Sequence, residues 1–259
     1  YFAELALGID DIASMYKYNI ILANSDYDND KILKVVRNLH AKQVDGIVFM
    51  GFDLSPELRA EFKSSSTPVV VAGSVVNDKE LPAVRIDYRK AAKEAVTRLL
   101  DHNHDHVALV TSSLGYSINA DDRLSGYKDA LADAGVDFDD QLVIETDGSY
   151  KQIYDQAKAI ADSGVKAAYV TNDHLAVGLL NGLTDSGIKV PDDFEIISSN
   201  DTTYTRLCRP MLTSISQPLY DIGAVSMRLL TKLMEDKDDS ESNVILEHSI
   251  IPRQSTRLQ

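Results

Sequence analysis

The chain reads as an α/β protein of two doubly wound lobes, each a mainly parallel sheet with helices on both faces. Three observations predict this. Short β-branched runs alternate with helical patterns along the whole length, the mark of βαβ units. Runs such as VVVAG and HVALV are apolar throughout instead of alternating, as in strands buried on both faces. The pattern restarts near Tyr88, and the strand runs are too many for one sheet.

The strand runs are 19–23, 46–50, 68–72, 84–87, 106–111, 142–145, 168–171, 195–198, 212–216 and 244–251. Helical spacing fills 1–18, 30–42, 88–103, 120–134, 153–163 and 175–187. A further helix starts after Gln217 in QPLYDIGAVSMRLLTKLM, with Pro218 at a first-turn position where its missing N–H costs nothing. The acidic run DKDDSES at 236–242 is a solvated loop.

With 259 residues and 44% hydrophobic content, the chain buries a sizeable core. Lys and Arg number 26 against 40 Asp and Glu, a net charge of −14. That balance lacks the basic patch that neutralises nucleic-acid phosphates. The lone cysteine, Cys208, excludes an internal disulfide and fits a reducing, cytoplasmic compartment. No apolar run reaches the ~18–20 residues of a membrane span. Residue 1 already lies inside a helical pattern, so native N-terminal sequence is expected to be absent. There is no P-loop, no nucleophile elbow and no nucleophile that the sequence places beside a base, so no enzyme is expected. No cofactor or metal is expected either.

Three groups of residues stand out. In the helix after Gln217, Ile222, Ser226, Leu229, Leu230 and Leu233 form a buried stripe. Asp221, Val225, Arg228 and Lys232 form a second stripe at i, i+4, i+7 and i+11. Arg228 has no acid three or four residues away on either side. Such a cation pair suits a phosphate, Arg as a planar fork and Lys as a point charge. A solvated face, with Lys232 paired to Glu235 or Asp236, fits the same spacing. In the first helix Glu4 and Asp11 share a face, either plain and polar or open to a partner's cations.

The third group lies at polar strand ends: Thr111-Ser112-Ser113, Thr171-Asn172-Asp173 and Ser198-Ser199-Asn200-Asp201, with Arg123 opening RLSGY. Ligands of open α/β sheets bind beyond such ends, and these groups suit a sugar or sugar phosphate. Helix caps and hinge hydrogen bonds would use the same residues. His102, His104 and His106 sit between a helix end and a strand, without a fourth ligand that the spacing supplies for zinc.

The helix segment QPLYDIGAVSMRLLTKLM, together with AELALGIDDIASMYKYNIILANSD, KQVDGIVFMG and the closing RQST, resembles the catabolite-control regulators of the LacI/GalR family. The resemblance covers essentially the whole chain. It implies a transcription-regulator core of the periplasmic-binding-protein-like type, active as a homodimer. Operator DNA would be bound only through a helix-turn-helix head that this chain lacks. The corepressor would be the serine-phosphorylated histidine phosphocarrier protein. By the resemblance Arg228 and Lys232 meet its phosphoserine, and Glu4, Asp11, Tyr220, Asp221 and Val225 complete the surface. Arg123, Asn172, Asp173, Asn200 and Asp201 would form the effector site, and His104 would be the structural histidine of the turn before a strand. Leu7 departs from the family, which usually has Arg there. So does Asn200, which replaces an Asp and supplies no charged acceptor, so weak sugar-phosphate binding is expected.

By the resemblance the first lobe is 1–88 plus 217–239, and the second is 89–216 plus 240–259. The dimer faces are expected on helix 30–42 with the following strand, and on helix 175–187, whose Leu179, Leu180 and Leu183 exceed one buried stripe. An extracytoplasmic sugar-binding protein shares the fold and remains the alternative function. A doubly wound nucleotide or sugar enzyme is a third reading, disfavoured by the missing motifs.

Overall fold

The structure is a computed structural model. It describes residues 1–25, 28–51, 54–75, 81–102, 104, 106–112, 118–235 and 243–257. The chain divides into two compact units, Tyr1–Ile86 with Pro218–Leu246 and Asp87–Gln217 with Glu247–Gln259.

In the first unit a four-stranded parallel sheet runs in the order β1 (Ile47–Phe49), β2 (Val69–Ala72), β3 (Ala83–Ile86), β9 (Asn243–Leu246). Every residue of β2 is buried, which is what VVVA encodes. Val69 and Val71 face Ile32 and Val36 of α2 (Asn29–Ala41) and Leu58 and Phe62 of α3 (Pro56–Ser64). The alternate residues face the opposite way, where α1 (Phe2–Met15) and α9 (Leu219–Met234) lie. Asp28 caps α2 by accepting from the amides of Asp30 and Lys31, and Ser55 caps α3 ahead of Pro56.

The second unit is a six-stranded sheet, β10 (Ser249–Ile251), β8 (Thr213–Ser216), β7 (Glu195–Asn200), β6 (Ala167–Val170), β4 (Val107–Ser112), β5 (Val143–Thr146). All pairings are parallel except β10 with β8. One face carries α6 (Tyr150–Asp162) and α7 (Asp173–Asp185); α4 (Tyr88–Leu100) and α5 (Ile118–Asp133) pack on the alternate strand residues. A short α8 (Thr203–Leu207) follows β7. The closing RQST seals the sheet: Ser255 Oγ donates to the Ile196 carbonyl at 2.6 Å and accepts from the Thr213 amide at 2.8 Å.

Several sequence expectations are corrected. Residues 19–23 form no strand; Ile20, Ile21 and Leu22 are 41%, 56% and 74% exposed, because no described strand pairs with them. The run 244–251 is two strands in two sheets, since Glu247 and His248 interrupt it, and β9 thereby joins the first unit instead of the second. Helices α3 and α8 were not foreseen. Pro218 is the N-cap of α9, not its first turn. Leu179, Leu180 and Leu183 are fully buried in the second unit's own core, so they offer nothing to a partner. The loop 236–242 and Ser113 lie outside the described residues.

His102 and His104 converge on Glu195, which is fully buried at the start of β7. His102 Nδ1 lies 2.8 Å and His104 Nε2 2.9 Å from its carboxylate, and the Arg257 amide donates to it at 2.9 Å. His106 is exposed and apart from them. Burial raises Glu195, but hydrogen bonds from His104, His102 and Arg257 outweigh it and hold the pKa at about 2. The folded value lies below the unfolded one, so this stabilisation is full above pH ~4.5 and is lost as pH falls towards 2. Glu195→Gln is expected to destabilise by about 1–3 kcal/mol at pH 7. In urea unfolding the gap from the parent should shrink at pH 3; an unchanged gap would show that the carboxylate's charge is not what matters.

Candidate functional site

The first candidate surface is the pair α1 and α9. They cross where glycines face carbonyls. A Cβ at Gly8 would overlap the Tyr220 carbonyl oxygen, and a Cβ at Gly223 would overlap that of Leu5. Behind the crossing Leu5, Ile222, Ser226 and Leu229 are buried, and Ser226 Oγ closes on the Ile222 carbonyl at 2.7 Å. The outward faces carry Glu4, Leu7 and Asp11 on α1, and Tyr220, Asp221, Val225, Arg228 and Lys232 on α9. All are exposed except the half-buried Val225; Leu7 stands 54% exposed and Tyr220 43%. Tyr220 donates its hydroxyl to Asp11 at 2.8 Å, which pushes the phenol pKa up and joins the two helices across the surface. Arg228 makes no hydrogen bond or ion pair with any described residue.

The second candidate lies at the carboxyl ends of β4, β6 and β7. Asp173 opens α7 and is buried. Its carboxylate accepts from Ser198 Oγ and, at 2.7 Å each, from the amide and hydroxyl of Thr202. Burial drives its pKa up to about 6 against those hydrogen bonds. Arg123, on α5, sets its guanidinium 4.7 Å over the Tyr88 ring, and its Nε is buried without a partner among the described residues. The Tyr169 hydroxyl is buried beside Arg123 and Ser199, and burial pushes its pKa up against the pull of those two groups. Thr171 donates to Thr111 at 3.2 Å on the same edge. A buried guanidinium nitrogen left open near an ionisable acid is what a polar ligand completes.

The other expected members are otherwise engaged. Asn172 is exposed and caps α7, accepting from the His174 amide at 2.8 Å. Asp201 receives Arg253 at 2.6 Å and the Thr205 hydroxyl at 2.9 Å. Asn200 accepts from Gln217 Nε2 at 2.6 Å. Asn200 and Asp201 both have positive φ, +100° and +51°, a strained corner. Tyr169, Tyr88 and Gln217 escaped sequence reading because their roles come from contacts far apart in the chain.

The two units of parallel sheet, with polar groups at the strand ends, define a periplasmic binding protein-like domain, and residues 96–256 match that family model. Catabolite control protein A of Streptococcus mutans is 51% identical over 257 residues, spanning 99% of this chain and 77% of that protein. The crystal structure of transcription regulator CcpA of Lactococcus lactis matches with a TM-score of 0.95 at 47% identity, over 99% of this chain and 94% of that one. A LacI family regulator from Enterococcus faecium, with bound ribose, matches with a TM-score of 0.86 at 27% identity, over 98% and 93%. The chain belongs to the catabolite control protein A family of LacI-type transcription regulators, which are not enzymes.

The high pKa of Asp173 has a measurable sign. The folded acid binds its proton more tightly than the unfolded one, so stability falls as pH rises from about 4 to about 6, by at most ~3 kcal/mol. Asp173→Asn should remove that slope from the pH dependence of denaturant unfolding. An identical slope in parent and variant would contradict it.

Proposed function

We propose that this chain is the sensing core of a cytoplasmic regulator of carbon catabolite control, whose α1–α9 surface docks the serine-phosphorylated histidine phosphocarrier protein as corepressor. The observation that carries the reading is Arg228, an exposed cation with no described partner in a chain of net charge −14. Beside it lie Lys232, the apolar Leu7 and Val225, and the acids Glu4, Asp11 and Asp221. A phosphoserine brings nearly two negative charges and three strong acceptors to the cations, while the acids meet basic residues of the carrier. Leu7 gives this surface an exposed apolar contact. Operator binding belongs to a head outside these residues.

The core works as a homodimer on this reading. In the second unit Tyr204 and Leu207 of α8 are 57% and 74% exposed, and Tyr204 continues a row of rings through His174 and Tyr150 to Tyr154. That face, not the buried leucines of α7, is the apolar area for a second copy to cover. Sedimentation is expected to give a dimer at micromolar concentration, and Leu207→Glu to weaken it; a monomeric parent would reject this.

At the strand ends, a sugar phosphate would satisfy Arg123, and the ribose held by the Enterococcus relative supports a sugar-like occupant. Because Asn200 supplies no charge, binding is expected to be weak, and calorimetry finding tight binding of a free sugar would contradict this.

The docking reading is tested by titrating the purified core with phosphorylated and unphosphorylated carrier at two salt concentrations. A charge-assisted pair contributes about 1.5–3 kcal/mol, so Arg228→Ala should weaken the phosphorylated carrier roughly ten- to a hundredfold. Arg228→Lys should recover part of that loss, since the fork is gone but the charge stays. Folding stability should move by less than about 0.5 kcal/mol. An Arg228→Ala variant that binds like the parent would refute the docking role.

A further inference from the structure

Gln217 is the last residue of the second unit before the chain passes to Pro218 and α9. It is buried, and both ends of its amide are used. Its Oε1 accepts from the Tyr88 hydroxyl at 3.2 Å, and its Nε2 donates to Asn200 Oδ1 at 2.6 Å. Tyr88 follows another passage of the chain between the units, from Ile86 to Asp87, and is itself buried as the first residue of α4. The donors all run one way, from Tyr88 through Gln217 to Asn200. Residues 129 and 17 positions apart are joined by one relay.

Two further observations give this relay a purpose. Asn200 is held at φ +100°, a conformation that persists only where the surroundings enforce it. Pro218, the N-cap of α9, makes no side-chain capping hydrogen bond, so the first amides of that helix find no side-chain acceptor there. The side-chain oxygen of Asn200 is thereby committed inside the unit. Arg123, stacked on the Tyr88 ring, brings the relay to the edge of the strand-end site.

We propose that Tyr88, Gln217 and Asn200 are a positioning clasp. It fixes the backbone at two passages of the chain between the units and so sets the first turn of α9, on which the docking stripe stands. Its functional consequence, though not the clasp itself, rests on the docking reading above. An acceptor at position 200 and a donor at position 217 are both required, and a mere space-filling role would require neither.

The experiment is amide hydrogen exchange on the parent, Gln217→Ala, Gln217→Glu and Asn200→Asp, followed by titration of each with the serine-phosphorylated carrier. Glu at 217 still accepts from Tyr88 but has no donor for Asn200; Asp at 200 still accepts from Gln217. The Ile222 amide, bonded to the Pro218 carbonyl at 2.8 Å, and the Lys90 amide, bonded to Asp87 at 2.9 Å, report the two first turns. Both should exchange about tenfold faster in the two Gln217 variants and at the parent rate in Asn200→Asp. The Ser186 amide, at the end of α7, should not change in any of them. Carrier affinity should fall about threefold or more in Gln217→Glu, although no residue of the stripe is altered, and hold in Asn200→Asp. Parent-like exchange at Ile222 in Gln217→Glu, or lost protection in Asn200→Asp, would overturn the clasp. If the parent does not bind the carrier, the docking reading fails while the exchange result still decides the clasp.

Discussion

The structure of the first unit depends on the contact between α1 and α9. Two glycines, Gly8 and Gly223, each meet a backbone carbonyl of the other helix, and neither position has room for a Cβ. The approach of the two backbones fixes which residues turn outward. It places Glu4, Leu7 and Asp11 beside Tyr220, Asp221, Val225, Arg228 and Lys232, and the Tyr220–Asp11 hydrogen bond closes the seam. Helices separated by larger side chains would carry the same charges on two distinct surfaces instead of one.

The second unit uses the same device twice. On α5, Gly126 faces the Arg89 carbonyl of α4; on α7, Gly178 and Gly182 face the Tyr150 and Tyr154 carbonyls of α6. Close helix pairs on both faces of a sheet leave its strand ends as the place for polar chemistry. There the Arg123 Nε remains open, while Asp173 is held by Ser198 and Thr202, and Asp201 and Asn200 are tied to Arg253 and Gln217. At the start of β7, Glu195 binds two histidines and the Arg257 amide in a buried structural cluster.

Much of this was legible in the sequence, and the exceptions have physical causes. VVVA and VALV announced buried parallel strands because no polar alternation interrupts them. The run 19–23 used the same letters, yet apolar composition does not supply a neighbouring strand, and Ile20–Leu22 stand exposed. Helix α3 has only Leu58 and Phe62 buried, too few for a clear stripe, although Ser55-Pro56 was a start signal. The docking stripe was legible because a helix maps spacing onto a face, and Arg228 lacked any partner at that spacing. Tyr88, Gln217 and Tyr169 were not, because their chemistry arises between residues remote in sequence. The three leucines of α7 misled for the opposite reason: a helix between a sheet and a neighbouring helix is buried over more than one stripe.

The most direct test of this account is Gly223→Ala, which alters no exposed side chain. Overpacking of this kind costs about 1–3 kcal/mol, small enough to leave the sheet folded. The account predicts that α1 amides lose exchange protection and that affinity for the serine-phosphorylated carrier falls about tenfold or more, with Arg228 untouched. Parent-like affinity in a folded Gly223→Ala protein whose α1 has moved would show that the close crossing of α1 and α9 does not create the docking surface.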